Sequence, residues 1–293
     1  MAETVGFIGL GVMGAPMARH LAAKYDLVVF DVDPKKRAAI ENTRKAKDTA
    51  TVGKMASAIL LSLPSSEVVK EVVLGKDGLL PNMKKGSIII DTSTTSPTVS
   101  QEIGKELNEA GIAFLDAPLS GGEKAAIEGT LSIMVGGKKE DFERSLEMLK
   151  TIGTTIVHAG GVGMGEVAKL VNNLIVGITF VAVAEGFALG TKCGLDPKVL
   201  YAAIKNGWAG SKVLDVSAEA MLPRNFKPGG TVDIHWKDLG YALNLAREND
   251  VPVPATALAH EVFKAARASG RGKLAQPAIV QMWEGLLGIE VKG

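Results

Sequence analysis

Cysteine is almost absent: Cys193 is the only one in 293 residues. That excludes an internal disulfide framework and any thiolate-rich metal site. Histidine is nearly as sparse, and His20, His158, His235 and His260 form no H-x-x-x-H pair, so no structural metal is expected. An excess of one charge is missing too. Lys and Arg total 33 against 32 Asp and Glu, a net charge of +1, and no broad basic field invites nucleic acid or an anionic membrane. The longest uncharged apolar stretch, "LVNNLIVGITFVAVA", has 15 residues with two asparagines, short of the about 18 that suggest a membrane span. The N-terminal "MAETVGFIGLGVMGAPMA" carries no basic leader and is not read as a signal peptide. The expected location is cytoplasmic.

What remains is an ordinary globular composition, 46% hydrophobic and 22% charged, in a chain long enough for two domains. The first half alternates. Short apolar runs "TVGFIGLG", "DLVVFDVD", "ASAILLSLP", "GSIIIDTST", "IAFLDAPLS" and "GTLSIMVGG" read as strands. Between several of them lie helix-like segments, among them "APMARHLAAKY", "SEVVKEVVL", "PTVSQEIGKELNEAG" and "KEDFERSLEMLKTIG". Alternating strands and helices predict a mostly parallel sheet covered on both faces, which nearly continuous apolar strands require.

Gly9, Gly11 and Gly14 in "GLGVMG" fit G-x-G-x-x-G. The motif closes a strand and opens a helix, and Asp31 ends the next strand 22 residues after Gly9. In that context the loop Gly9, Leu10, Gly11, Val12, Met13, Gly14 is expected to bind a dinucleotide. Gly9 permits the turn, Gly11 lets the backbone approach a pyrophosphate, and Gly14 lets helix and strand pack closely. The helix N-terminus offers N–H groups and positive dipole to the phosphates. Asp31 would accept ribose hydroxyls and repel a 2′-phosphate. That favours NAD, with NADP as the alternative because Lys35, Lys36 and Arg37 follow closely.

After "HAGGVGMG" strand patterning stops. No proline interrupts Met164 to Lys192, which as one helix would run about 44 Å. "DPKVLYAAIKNG", "KDLGYALNLAREND", "PATALAHEVFKAARASG" and "PAIVQMWEGLLG" read as further amphipathic helices. The expected domains are 1–162, binding NAD(P), and 163–293, all helical. A helix apolar on nearly every side, as at 174–184, needs cover on nearly every side, so a homodimer or homotetramer is expected.

Three places carry candidate chemistry. Ser120, Gly121 and Gly122 in "PLSGG" follow a strand and could present donors to a carboxylate; a flexible loop explains them equally well. Lys169 and Asn173 are four apart on one helix face. An amine and an amide there suit a carbonyl or hydroxyl substrate, with partial burial moving a lysine toward useful acid/base range. Taken alone, a lysine snorkelling from a helix end is the plainer explanation. Lys237 in "HWKDLGYA" alone is a surface lysine beside an Asp, and Trp208 or Trp236 could wall a pocket or simply fill core.

Together, "GFIGLGVMGAPMA", "LSLPSS", "DTST", "DAPLSGGEKAAIEGTLSIMVGG", "GMGEVAKLVNN" and "HWKDL" resemble the signature blocks of the β-hydroxyacid dehydrogenases. They occur in the family's order over almost the whole chain. The resemblance implies an α/β fold: a Rossmann-type doubly wound domain, then an all-α domain, joined by a long interdomain helix. It implies Lys169 as general acid/base with Asn173 orienting the substrate, Ser120, Gly121 and Gly122 on its carboxylate, and Leu63, Pro64 and Thr94 touching the dinucleotide. Lys237 would lie near nicotinamide and substrate. "GWAGSKVLD" followed by "RNFKPG" looks most like tartronate semialdehyde reductases, which reduce 2-hydroxy-3-oxopropanoate to glycerate with NAD(P)H. Trp208 stands where these carry a smaller apolar residue, so it would reshape the substrate pocket. "FDVDPKK" lacks the Arg that follows the acid in some relatives. Other short hydroxy acids (3-hydroxyisobutyrate, 4-hydroxybutyrate, serine, threonate) are alternative substrates. A non-catalytic dinucleotide-binding module and an imine reductase are weighed against by the lysine.

Overall fold

Apolar strand residues alternate between two cores, and that alternation makes the sheet two-sided. Val5 and Phe7 of one strand, with Leu27, Val29, Leu60 and Ile90 of its neighbours, belong to one buried cluster. The intervening Ile8, Val28, Ile59, Leu61 and Ile89 belong to another. In this computed structural model, residues 4–227 and 229–293 are described. The first three residues of the expected N-terminal domain, and Pro228 of "RNFKPG", lie outside them.

Among the described residues one nine-stranded sheet forms. Its strands are β1 (Thr4–Ile8), β2 (Asp26–Phe30), β3 (Arg44–Lys45), β4 (Ala58–Leu61), β5 (Ile88–Asp91), β6 (Ala113–Asp116), β7 (Leu119–Ser120), β8 (Leu131–Gly136) and β9 (Gly153–Gly160). The order is β3-β2-β1-β4-β5-β6-β8-β7, with β9 pairing β8. β3 to β6 run parallel in the sheet, and β8 is antiparallel to β6 and β7. The chain winds from β1 to β3 on one side and from β4 onward on the other. The topological switch point therefore lies between β1 and β4, where ligands bind at strand carboxyl ends.

Between strands run α1 (Gly14–Ala22), α2 (Pro34–Ala38), α3 (Thr49–Met55), α4 (Ser66–Leu74), α5 (Pro97–Glu109), α6 (Gly122–Glu128) and α7 (Lys139–Leu149). Three differences from the sequence expectation have local causes. "IAFLDAPLS" is broken into β6 and β7 at Ala117–Pro118, since proline cannot donate to a ladder. β9 was not anticipated, because its residues are mostly partly or fully exposed and carry no continuous apolar run. β3 is two exposed basic residues.

The chain then continues as α8 (Met164–Lys192), α9 (Pro197–Ile204), α10 (Lys212–Met221), α11 (Val232–Glu248), α12 (Pro254–Ala266) and α13 (Val280–Leu287). α8 spans the expected 29 residues. α10 was missed; Ser211 starts it by accepting from Leu214 N at 3.1 Å, a side-chain cap of the usual kind. Contacts divide the chain into two compact units, Met1–Lys169 and Leu170–Gly293. Phe180, Val181, Ala184 and Phe187 of α8 lie in the core of the second unit. By length and composition alone α8 could cross a membrane, although its uncharged stretch is shorter.

The start of α8 is pressed against the sheet of the first unit. A Cβ at Gly165 would collide with the backbone oxygens of Met134 in β8 and Asp116 in β6. Neither oxygen is the end of a flexible side chain. Gly165→Ala should therefore cost on the order of 1–3 kcal/mol, seen as a lower urea midpoint at unchanged slope. An unchanged midpoint would mean that the helix start moves freely.

Candidate functional site

The loop after β1 divides its glycines by task. Gly9 sits at φ +95°, where a Cβ would strike the carbonyl of Ser62, and its N–H donates to Phe30 O at 2.9 Å. Gly14, first residue of α1, packs onto Gly9 O so closely that no side chain fits. A Cβ on Gly11 would meet nothing within 4 Å. The loop is thus rigid at both ends and open at its middle, with Val12 exposed and Met13 at the N-cap of α1. Open space at Gly11, beside a helix start with no side-chain cap, fits a pyrophosphate, so the residues present suit a dinucleotide.

Asp31 does more than the sequence suggested. Its Oδ2 accepts from Leu10 N at 2.7 Å and its Oδ1 from Asp33 N at 2.8 Å. The carboxylate therefore ties the end of β2 to the glycine loop. Each oxygen keeps a second lone pair, available to a ribose hydroxyl. Of the neighbouring cations, Arg37 is committed: its Nη1 donates to Ala46 O at 2.9 Å and its guanidinium lies over Phe30 at 5.5 Å. Lys35 and Lys36 are exposed.

Leu63 and exposed Pro64 follow β4, and Thr94 follows β5, all at strand carboxyl ends. Ser93 Oγ accepts from Leu63 N at 2.8 Å, so the two loops are joined. Ser120 ends β7, and Gly121 and Gly122 begin the next turn at φ +128° and +70°. Both glycines are exposed and Ser120 is half-buried. Their two N–H groups and the hydroxyl form a cluster of donors suited to a carboxylate.

Lys169 is buried, 9% exposed, one turn into α8. Ahead of it stand two acids the sequence reading passed over. Asp116, at the end of β6, accepts from Gly163 N at 2.7 Å and Glu166 N at 2.9 Å, capping the helix. Burial pushes its carboxyl up to about 6, despite the lowering effect of those amides. Glu166 is fully buried, and burial together with the charges of Asp91 and Asp116 holds it well above the usual carboxylate range. "DAPLSGG" and "GMGEVAK" displayed both residues, but nothing in spacing alone says that two acids 50 positions apart will meet.

In the second unit Asn173 and Lys237 converge on one carboxylate. Asn173 Nδ2 donates to Asp238 Oδ2 at 2.7 Å, and Lys237 Nζ lies 3.1 Å from Asp238 Oδ1. Asp238 is 3% exposed. His235 Nε2 lies 3.1 Å from the backbone oxygen of Asn173, which fixes α11 against α8. Asp238 is the organising residue that sequence reading reduced to an ion-pair neighbour. Trp208, between α9 and α10, has its ring wholly in solvent, while Trp236 packs under Arg267 at 3.8 Å and beside His260.

Residues 4–161 match a family described as the NAD binding domain of 6-phosphogluconate dehydrogenase, and residues 163–283 match one described as NAD-binding of NADP-dependent 3-hydroxyisobutyrate dehydrogenase. The chain is similar to 2-hydroxy-3-oxopropionate reductase of Escherichia coli, 38% identical over 96% of this chain and 97% of that protein. It is 36% identical to 2-(hydroxymethyl)glutarate dehydrogenase of Eubacterium barkeri, over 99% of this chain and 97% of the relative. Among solved structures, 3-hydroxyisobutyrate dehydrogenase of Mycobacterium tuberculosis, described with L-serine, superposes with a TM-score of 0.88 at 29% identity, covering 96% and 99% of the two chains.

Asp116 makes stability fall with pH. Its unfolded carboxyl ionises near 3.8 while the folded one keeps its proton to about 6. Its penalty is absent below about pH 4 and grows until about pH 6, to on the order of 3 kcal/mol. The stability difference between wild type and Asp116→Asn, followed by urea unfolding, should shift in favour of the variant over that window. A pH-independent difference would contradict it.

Proposed function

From the premise that the chain belongs to the β-hydroxyacid dehydrogenase family, and so is an NAD(P)-dependent hydroxyacid dehydrogenase, we propose that it reduces tartronate semialdehyde to glycerate. The observation that carries the chemistry is Lys169. A lysine almost wholly buried at the start of α8, in the same unit as the glycine loop, has no purpose as a solvated charge. The substrate rests on the "GWAGSKVLD" likeness and on the Escherichia coli relative. The other two relatives bear different substrate names, so the substrate is the part most open to test.

The bound reduced nicotinamide supplies the hydride to the aldehyde carbon. Lys169 gives its proton to the aldehyde oxygen, leaving the alcohol of glycerate. Asn173 spends one amide N–H on Asp238 and keeps a second as a donor. Ser120 and the N–H groups of Gly121 and Gly122 hold the substrate carboxylate. Lys237, steadied by Asp238, would add positive charge for the substrate. Leu63, Pro64 and Thr94, at the strand carboxyl ends, would contact the dinucleotide. Positioning and stabilisation of the developing alkoxide supply most of the rate. Asp31 and the prior commitment of Arg37 support NAD over NADP.

Exposed apolar residues of α8 also follow a helical stripe, Val171, Ile175, Ala182 and Leu189, with the exposed Glu185 beside it. An apolar stripe on a helix needs cover, and a second copy of the chain supplies it in a homodimer or homotetramer.

Three measurements test these readings. In a panel of short aldehyde acids and hydroxy acids run with each coenzyme, tartronate semialdehyde with NADH should give the highest kcat/KM. Lys169→Met should lower kcat by at least 100-fold, the upper range of acid–base effects being about 10⁴, while leaving NADH affinity intact. A different preferred acid would replace the substrate, and normal turnover by the variant would remove the role of Lys169. By light scattering, wild type should show a multiple of the chain mass and Ile175→Glu a single chain; a monomeric wild type would refute the assembly.

A further inference from the structure

Among the described residues of the first unit, Asp91, Asp116 and Glu166 are fully buried acids that the proposed reaction does not use, and Glu166 stands three residues before Lys169. Its backbone and side chain reach different parts of the sheet. The N–H donates to Asp116 Oδ2 at the end of β6. The side chain accepts at Oε1 from Thr95 Oγ1 at 3.0 Å. Thr95 is itself completely buried and shares a 2.9 Å hydrogen bond with Ser100 of α5. It adjoins Thr94, in the loop after β5.

We propose that Glu166, in its uncharged form, is a positioning residue: it locks the first turn of α8, and thereby Lys169, to the loop carrying Thr94 and Thr95. The reasoning is spatial. Lys169 lies on the same helical side as Glu166, since residues three apart are neighbours. A helix fixed only by Asp116 would be held at one point, on its N–H groups, and could still turn about it. The Thr95 contact is a second point, on a different strand end. Two points hold the orientation of the following turn.

The lock needs a neutral side chain. The charged groups facing Glu166 are Asp91 from β5 and Asp116 from β6. Its Oε2 has no hydrogen-bond partner among the described residues, so a second negative oxygen there would meet like charges and no donor. A glutamine of the same shape keeps the acceptor for Thr95 and removes the ionisation. An alanine removes the contact altogether.

The inference rests on the role proposed for Lys169, and the test separates the two. With the acid that wild type turns over fastest, Glu166→Ala should lower kcat on the order of 10- to 100-fold, the scale of a misplacement of about 1 Å, with KM little changed. Glu166→Gln should restore kcat to within about threefold of wild type. Should the alanine variant fail to fold, Thr95→Val opens the same contact from the other side and should lose kcat similarly. Where both fold, the double variant should be no worse than the poorer single one, because the two side chains form one interaction. Amide hydrogen exchange should quicken in residues 93–96 and 164–170 of Glu166→Ala and stay slow in Glu166→Gln. That readout holds whatever the reaction. If Lys169→Met kept its turnover while the exchange pattern appeared, the catalytic reading would fail and the lock would stand. Wild-type kcat in Glu166→Ala, equal losses in the Ala and Gln variants, or unaltered exchange would each overturn the proposal.

Discussion

A helix leaves its first N–H groups without partners inside itself, and the start of α8 satisfies two of them with a buried carboxylate, Asp116. This join ties the start of the helix, three residues before Lys169, to the end of β6. It requires glycine at 165 and 136, because side chains there would occupy the space of Asp116 and the strand backbone. It also places a charge-bearing group where water cannot reach, which is why the Asp116 carboxyl is pushed up to about 6. The protein accepts a destabilised acid to obtain a fixed helix.

The dinucleotide loop works by the same economy of contacts. Gly9 and Gly14 are immobilised by backbone approach, and Gly11 is left facing empty space. The rigidity comes from packing that a Cβ would prevent, and the binding room comes from the one glycine that packs against nothing. In the second unit Asp238 plays the organising part, holding an amide and an amine with its two oxygens.

The sequence disclosed what is periodic or local. The parallel sheet showed in six apolar runs, the 29-residue helix in its freedom from proline, and the glycine loop in its place between strand and helix. It hid what depends on distance along the chain. Asp116 and Glu166 meet across 50 residues, Thr95 and Glu166 across 71, and Asn173 and Asp238 across 65. No pattern of 2 or 3.6 residues encodes such pairs. β9 escaped because its exposed residues break the apolar run, and α10 because its cap, Ser211, lay in a stretch read for its tryptophan and its family likeness, not for its periodicity. Lys169 was visible as an oddity, but only the ensemble of motifs turned it from a stray charge into a candidate site.

Asp31 spends one oxygen on the N–H of Leu10, inside the glycine loop, and the other on Asp33. Selection for the phosphorylated coenzyme therefore cannot proceed by exchanging that acid alone. The replacement would release the anchor of the phosphate loop at the same moment that it removed the repulsion, while Arg37 stayed tethered to Ala46. The acid at the ribose position and the architecture of the loop are thus one joined feature, so a change at Asp31 alters both at once.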